Sequence, residues 1–331
     1  MPLHDTSYQH WDGVHLNLWD RRLVIARNGL TACLQVKGMK HLMVSCWSLA
    51  VIGAAVLFAI GQLLVADSIV VQWTANLNPG LQSIARTLTT WLEKHPEISV
   101  YTTQNVLFYY FAIYLLPLGI FCVGLAMPVL ITRDLASNAI IIYSSKAVSR
   151  GDYLLGKFLT VFGLLALTWL GPICATWFLG NLLAPDWHFF WHSRAVLCNI
   201  LIFGLSAMTI LSVLALGVSA ISSKEKSTAG FWIIGWIVGG AVVPIANDTE
   251  PLLRHVSFNF NLDQIGTAVF HPGDAIKITQ DNIPVLGSML RSVSAQKMEA
   301  INNPAVWGAV LALVAMMVAA AWIIRHRVKP E

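Results

Sequence analysis

Six stretches of this chain run for about twenty residues or more without one Asp, Glu, Lys or Arg. An apolar helix needs roughly 20 residues to cross a bilayer. Lipid leaves a spanning backbone only two solutions, a helix or a closed barrel. Windows this long and this uniformly apolar point to helices. Only 11% of the 331 residues are charged and 56% are hydrophobic, against about 25% charged in a soluble domain. The expected fold is therefore an all-α polytopic membrane protein. Its spans should lie near Leu42–Ala66, Val106–Ile131, Phe158–Ala184, Ala195–Ile221, Thr228–Ala246 and Pro304–Ile324.

Charge gives an orientation. Arg21, Arg22, Arg27, Lys37 and Lys40 precede the first span. Arg133, Lys146, Arg150 and Lys157 lie between spans two and three, and Lys224 and Lys226 between four and five. Arg325, Arg327 and Lys329 follow span six. That side carries 14 of the 21 basic residues, mostly on short segments. The positive-inside rule then places both termini in the cytoplasm. Trp47, Trp73, Tyr101, Trp187, Trp191, Trp307 and Trp322 fall near several span ends, where amphipathic rings favour the headgroup layer.

Two regions follow: an N-terminal segment, residues 1–40, and a six-helix membrane domain, residues 41–331. In the first, Leu16, Trp19, Leu23, Ala26, Leu30 and Leu34 recur every three or four positions. This reads as an amphipathic helix in the cytoplasmic interface, or as a soluble helix packed on a partner. External segments are expected at residues 67–105 and 247–303. Short helices should form near residues 81–92 and over Val285–Ile301, capping the exit side. The segment at 247–303 is too long for a plain connector.

Several chemistries have no footing in the sequence. There is no phosphate-cradling GxxxxGK[ST] loop, no HExxH and no GxSxG. The five cysteines are odd in number, lack CxxC spacing and read as small apolar residues. The chain is read as non-enzymatic and free of cofactors of its own. His188 and His192 share a four-residue spacing suited to metal, but the surrounding Trp and Phe read equally as an aromatic belt. The span centres hold no charged residue, which argues against a proton- or sodium-coupled carrier. Asn199, Ser206, Thr209 and Ser212 in span four form either a polar path or interhelical hydrogen bonds. Gly235 and Gly239, four residues apart, suit close helix packing, either within one copy or between two.

The loop between spans two and three, about 132–157, is the most informative segment. It is longer than a plain turn, basic and partly amphipathic. Leu135, Ala139 and Ile142 share one helical face, as do Ala136, Ile140 and Tyr143, and Asp134 stands where an acid favours a helix start. Its order is an acid (Asp134), small residues (Ala136 to Asn138) and an apolar run (Ile140 to Tyr143). Val148-Ser149-Arg150, Tyr153 and Gly156-Lys157 follow. This order resembles the signature of ABC-2 type transporter permeases. Ala147 stands where that family often has Pro, and Arg133-Asp134 replaces its usual Glu-Arg type of pair.

The resemblance implies a transmembrane subunit of an ATP-driven exporter in the bacterial cytoplasmic membrane. It would pair with a second permease copy or paralogue and dock a separate ATPase, which carries the ATP and Mg. Asp134, Ala139, Ile140, Tyr143, Lys146, Arg150, Tyr153 and Lys157 would form the coupling surface. A periplasmic protein is a further candidate partner and nucleic acid is not one. A permease-fold scaffold acting on a periplasmic partner through its external loops is the alternative. Lys146 and Arg150 could meet acidic partner residues, or could serve only to anchor the loop to anionic lipid.

Overall fold

The computed structural model describes residues 17–62, 94–139, 149–184, 187–249, 251–282 and 301–328, with scattered positions between 72 and 90. All regular structure among the described residues is helical. Helix α1 is Leu18–Leu34 and α2 is Met39–Gln62. Gly38, at φ 92°, makes the turn between them, a backbone conformation that a side chain would strain. Helix α3 is Pro96–Ala126, continued by a 3-10 turn at Met127–Val129 and the short α4, Thr132–Ala136.

Helix α5 (Arg150–Leu165) runs through a π turn at Ala166–Leu170 into α6 (Gly171–Leu182). Then come α7 (His188–Ser219) and α8 (Glu225–Thr249). A 3-10 turn (Pro251–Val256) leads to α9 (Phe258–Phe270), α10 (Pro272–Asn282) and α11 (Val306–Arg327).

Six of these helical segments are long and apolar enough to cross a membrane: α2, α3 with α4, α5 with α6, α7, α8 and α11. The chain is thus an all-α multi-pass membrane protein. Span three starts at Arg150 rather than near Phe158. The cause is local: Ser149 and Asp152 form a reciprocal capping box that begins the helix eight residues early.

The spans are not equivalent. α3 and α7 are the most enclosed, while α2, α8 and α11 turn most of their apolar surface outward. With no charges available, indole N–H groups tie helix to helix. Trp169 Nε1 donates to the Ala112 carbonyl at 3.0 Å and Trp232 Nε1 to the Ile120 carbonyl at 2.9 Å. Trp47 Nε1 donates to the Leu167 carbonyl at 3.1 Å. The π turn explains this last bond. Gly171 N–H reaches back to the Ala166 carbonyl, so the Leu167 carbonyl loses its α-helical donor. Trp47 supplies a replacement, as lipid-embedded backbone demands.

Asn199 resolves in favour of interhelical bonding: its Nδ2 donates to Asn105 Oδ1 at 3.0 Å. Ser206 and Thr209 instead bond carbonyls of their own helix. Gly239 faces the Ser257 backbone within the same chain, whereas Gly235 has open space beside it.

The segment expected to cap the exit side behaves differently. Ser257 lies against Gly239, which stands about 21 Å along α8 from its first residue at 1.5 Å per residue. Phe258 stacks on Trp232, and Phe270 meets Phe203 and Tyr109 edge-on. Helix α9 therefore wedges among the spans instead of resting over them. Of the helix expected near residues 81–92, positions 82, 83, 86, 89 and 90 are described and helical, whereas the one expected over Val285–Ile301 lies outside the described residues except for Ile301.

Candidate coupling site at the basic end

One end of the bundle carries the basic clusters, and there the flanks of the 132–157 loop are held by a set of buried polar contacts. Lys157 is 8% exposed and Tyr153 4%. The Lys157 Nζ lies 2.8 Å from Asp134 Oδ2 and donates to the carbonyls of Val129 and Leu130 at 3.1 and 2.5 Å. These two carbonyls end the 3-10 turn, where helical donors run out. The Tyr153 hydroxyl donates to the same Asp134 oxygen at 2.6 Å. Asp134, Tyr153 and Lys157, read from the sequence as one site, are thus brought together. Asp134 sits in the first turn of α4, and its carboxylate serves α5.

Arg150 reaches another element. Its guanidinium donates to the Ile324 carbonyl at 2.9 Å, near the end of α11. A cation on the last carbonyls of a helix also complements its dipole. Arg133 pairs with Glu225 at 2.8 Å, across to the start of α8. Both α5 and α4 are therefore fastened to neighbouring spans at this end.

The expectation of one continuous helix through residues 135–143 is corrected. Helix α4 ends at Ala136, and Asn138 adopts a left-handed backbone with φ 53°. Asn is among the few residues that tolerate this, and it ends helices the way Gly does. Leu135 and Ala139 consequently do not share a helical face. Ala139 is helical beyond this break. Ile140, Tyr143 and Lys146 lie outside the described residues.

Helix α1 packs on α5, forming the inner support of the site. A Cβ at Gly156 would fall 2.6 Å from Ile25 Cγ2, and one at Gly29 would fall 2.4 Å from Thr160 Oγ1. The two glycines let the backbones approach from both sides. Arg22 of α1 then reaches Asp152 Oδ1 at 2.5 Å, joining the Ser149 cap. Leu18, Trp19, Leu23 and Val24 on the far side of α1 stay exposed. Cys33 is buried beneath, and burial pushes its thiol up to about 11, so it is protonated and unreactive at neutral pH.

The sequence reading missed Arg22, Asp152, Thr132 and Ser219. Ser149-x-x-Asp152 is a legible capping pattern. The Arg22 pairing joins residues 130 positions apart, and no local pattern announces it. His188 and His192 belong to an aromatic segment in which Trp187 packs on Phe190 and Arg194 lies 3.9 Å over the Trp191 ring. Comparison with protein-family models and with curated proteins finds no match.

Proposed function

We propose that this chain is the membrane subunit of an ATP-driven transporter of the ABC-2 permease type, coupled at residues 132–157 to a separate ATPase. One observation carries the reading: both flanks of that segment are anchored, by Asp134 on one side and by Tyr153 and Lys157 on the other. A segment held rigidly at both ends passes force to the spans. A free loop of the same length would absorb it. Arg150 and Arg133 extend the anchorage to α11 and α8, so displacement of the segment would reach three spans directly. The uncharged span centres fit an energy source outside the chain.

Transport direction is taken as outward, with both termini on the ATPase side and a second permease completing the pathway. The alternative role, transmitting motion to a periplasmic partner, draws support from α9, which joins the external segment to the spans rather than hanging from them.

The test is co-purification with the ATPase encoded nearest to this chain, followed by measurement of ATP hydrolysis in nanodiscs. Coupled hydrolysis should appear in the wild type and fall at least tenfold in Tyr143→Asp with Arg150→Glu. Assembly and hydrolysis unaffected by that double change would refute docking at this segment.

A further inference from the structure

The span centres carry no charge, so a carboxylate brought against them from elsewhere stands out. Helix α9 delivers one. Asp263 Oδ1 accepts the Tyr109 hydroxyl at 2.6 Å. The same hydroxyl meets Thr267 Oγ1 at 3.1 Å, and Thr267 Oγ1 donates to the backbone carbonyl of Asp263 at 2.9 Å. Among the described residues no Lys, Arg or His forms an ion pair with Asp263.

The groups that face it are Tyr109 and Tyr110 of α3. Nearby on the chain, Arg254 lies over the Phe260 ring and His255 is bonded to Asn261. The described parts of α7, α8 and α11 bring no charged side chain to it. The second carboxylate oxygen has no hydrogen-bond donor among the described residues, yet it is not sealed from solvent. The tyrosine that bonds the acid belongs to an aromatic cluster: the Tyr109 ring lies 5.0 Å from that of Tyr110 and 6.3 Å from that of Phe270 between centroids.

An unpaired carboxylate in apolar surroundings reaches neutrality in two ways, by taking a proton or by taking a cation. Aromatic rings beside it favour a cation that is itself weakly hydrated. A hard cation such as Ca2+ or Mg2+ takes six or more oxygen ligands, and this cluster offers few.

We propose that Asp263, Tyr109 and Tyr110 form a binding site for a protonated amine, entered from the end of the bundle opposite the basic clusters. The ammonium group hydrogen-bonds the free carboxylate oxygen, and its carbon substituents lie against the rings. Proton and amine compete for the same oxygen. The site needs no ATPase, so it stands or falls separately from the proposed coupling.

Binding of benzylammonium to the purified chain in nanodiscs, measured by calorimetry at pH 7.5, tests this. Benzyl alcohol is the neutral control, and sodium and potassium chloride are the competitors. Saturable binding of the amine is expected, at least tenfold tighter than the alcohol. It should weaken at least tenfold in Asp263→Asn, and should weaken in the wild type on acidification. Equal binding of amine and alcohol would overturn the proposal, as would an unchanged Asp263→Asn. Displacement by millimolar sodium or potassium would overturn the amine assignment. If Asp263→Asn fails to fold, the wild-type comparison of amine with alcohol across pH decides alone: a pH-independent amine preference would also defeat it.

Discussion

Thr132 and Ser219 clasp the start of α4 and the end of α7 together from both sides. Ser219 Oγ accepts the backbone N–H groups of Ile131 and Thr132 at 2.9 and 3.2 Å, while Thr132 Oγ1 donates to the Ser219 carbonyl at 3.0 Å. Both residues are fully buried. Ser219→Ala would strand two backbone donors in a dry environment, each costing about 1–3 kcal/mol. A clear fall in thermal stability in detergent, with normal membrane insertion, is expected. A midpoint within a degree of wild type would show that water replaces the hydroxyl.

The Lys157–Asp134 pair calls for a double-mutant cycle. Their side chains are 10% and 15% exposed, so removing one partner leaves a nearly buried charge. Lys157→Met alone, or Asp134→Leu alone, should destabilise by about 3–5 kcal/mol. The double variant should recover much of that loss, because two matched apolar residues leave no bare charge. Additive losses measured by chemical unfolding would contradict the coupling.

Gly156 can be tested by size alone. Gly156→Ala places a methyl group against Ile25 and the Arg22 backbone, and overpacking of this kind costs about 1–3 kcal/mol. Helix α1 should loosen from α5. Cys33, shielded in the wild type, should then react with a membrane-permeant maleimide at neutral pH. Ile25→Ala should restore protection in the Gly156→Ala background.

Docking of α9 should depend on pH. Burial pushes the Asp263 carboxyl above its ordinary range, opposed in part by the Tyr109 hydrogen bond. The folded protein thus binds the proton more tightly than an unfolded chain does. The stabilisation is complete below the ordinary carboxylate range and is lost as pH rises through the raised value. Amide exchange of residues 258–270, corrected for intrinsic rate and measured without amine, should be slower in acid than at neutral pH. Asp263→Asn should remove the difference. Persistence of the difference in that variant would assign it elsewhere.

Helical class and the six spans were legible because lipid allows so few solutions to a long uncharged window. Asp134, Tyr153 and Lys157 were legible as a group because they belong to one short segment. Arg22 was not: its partner lies across the fold, and Gly29 and Gly156, which permit the approach, look like ordinary small residues in sequence. The course of α9 was illegible for a related reason. Its polar residues, Asn259, Asn261, Asp263 and Gln264, mark it as aqueous, yet hydrogen bonds such as Tyr109 to Asp263 and Ala305 to Gln264 bind part of that polar set to its neighbours. The break at Asn138 was written in the sequence, since Asn favours left-handed turns, but apolar spacing across it masked the signal.

The seating of α1 ties an exposed face mechanically to the start of α5. Its outer face, with Trp19 and Leu23, is exposed, while Arg22 on the same helix holds the cap of α5. A force that tilts this helix would tug directly on Asp152 and, through it, on Ser149. Whatever covers that exposed face, lipid or protein, would then bear on the first turn of α5 through a single guanidinium.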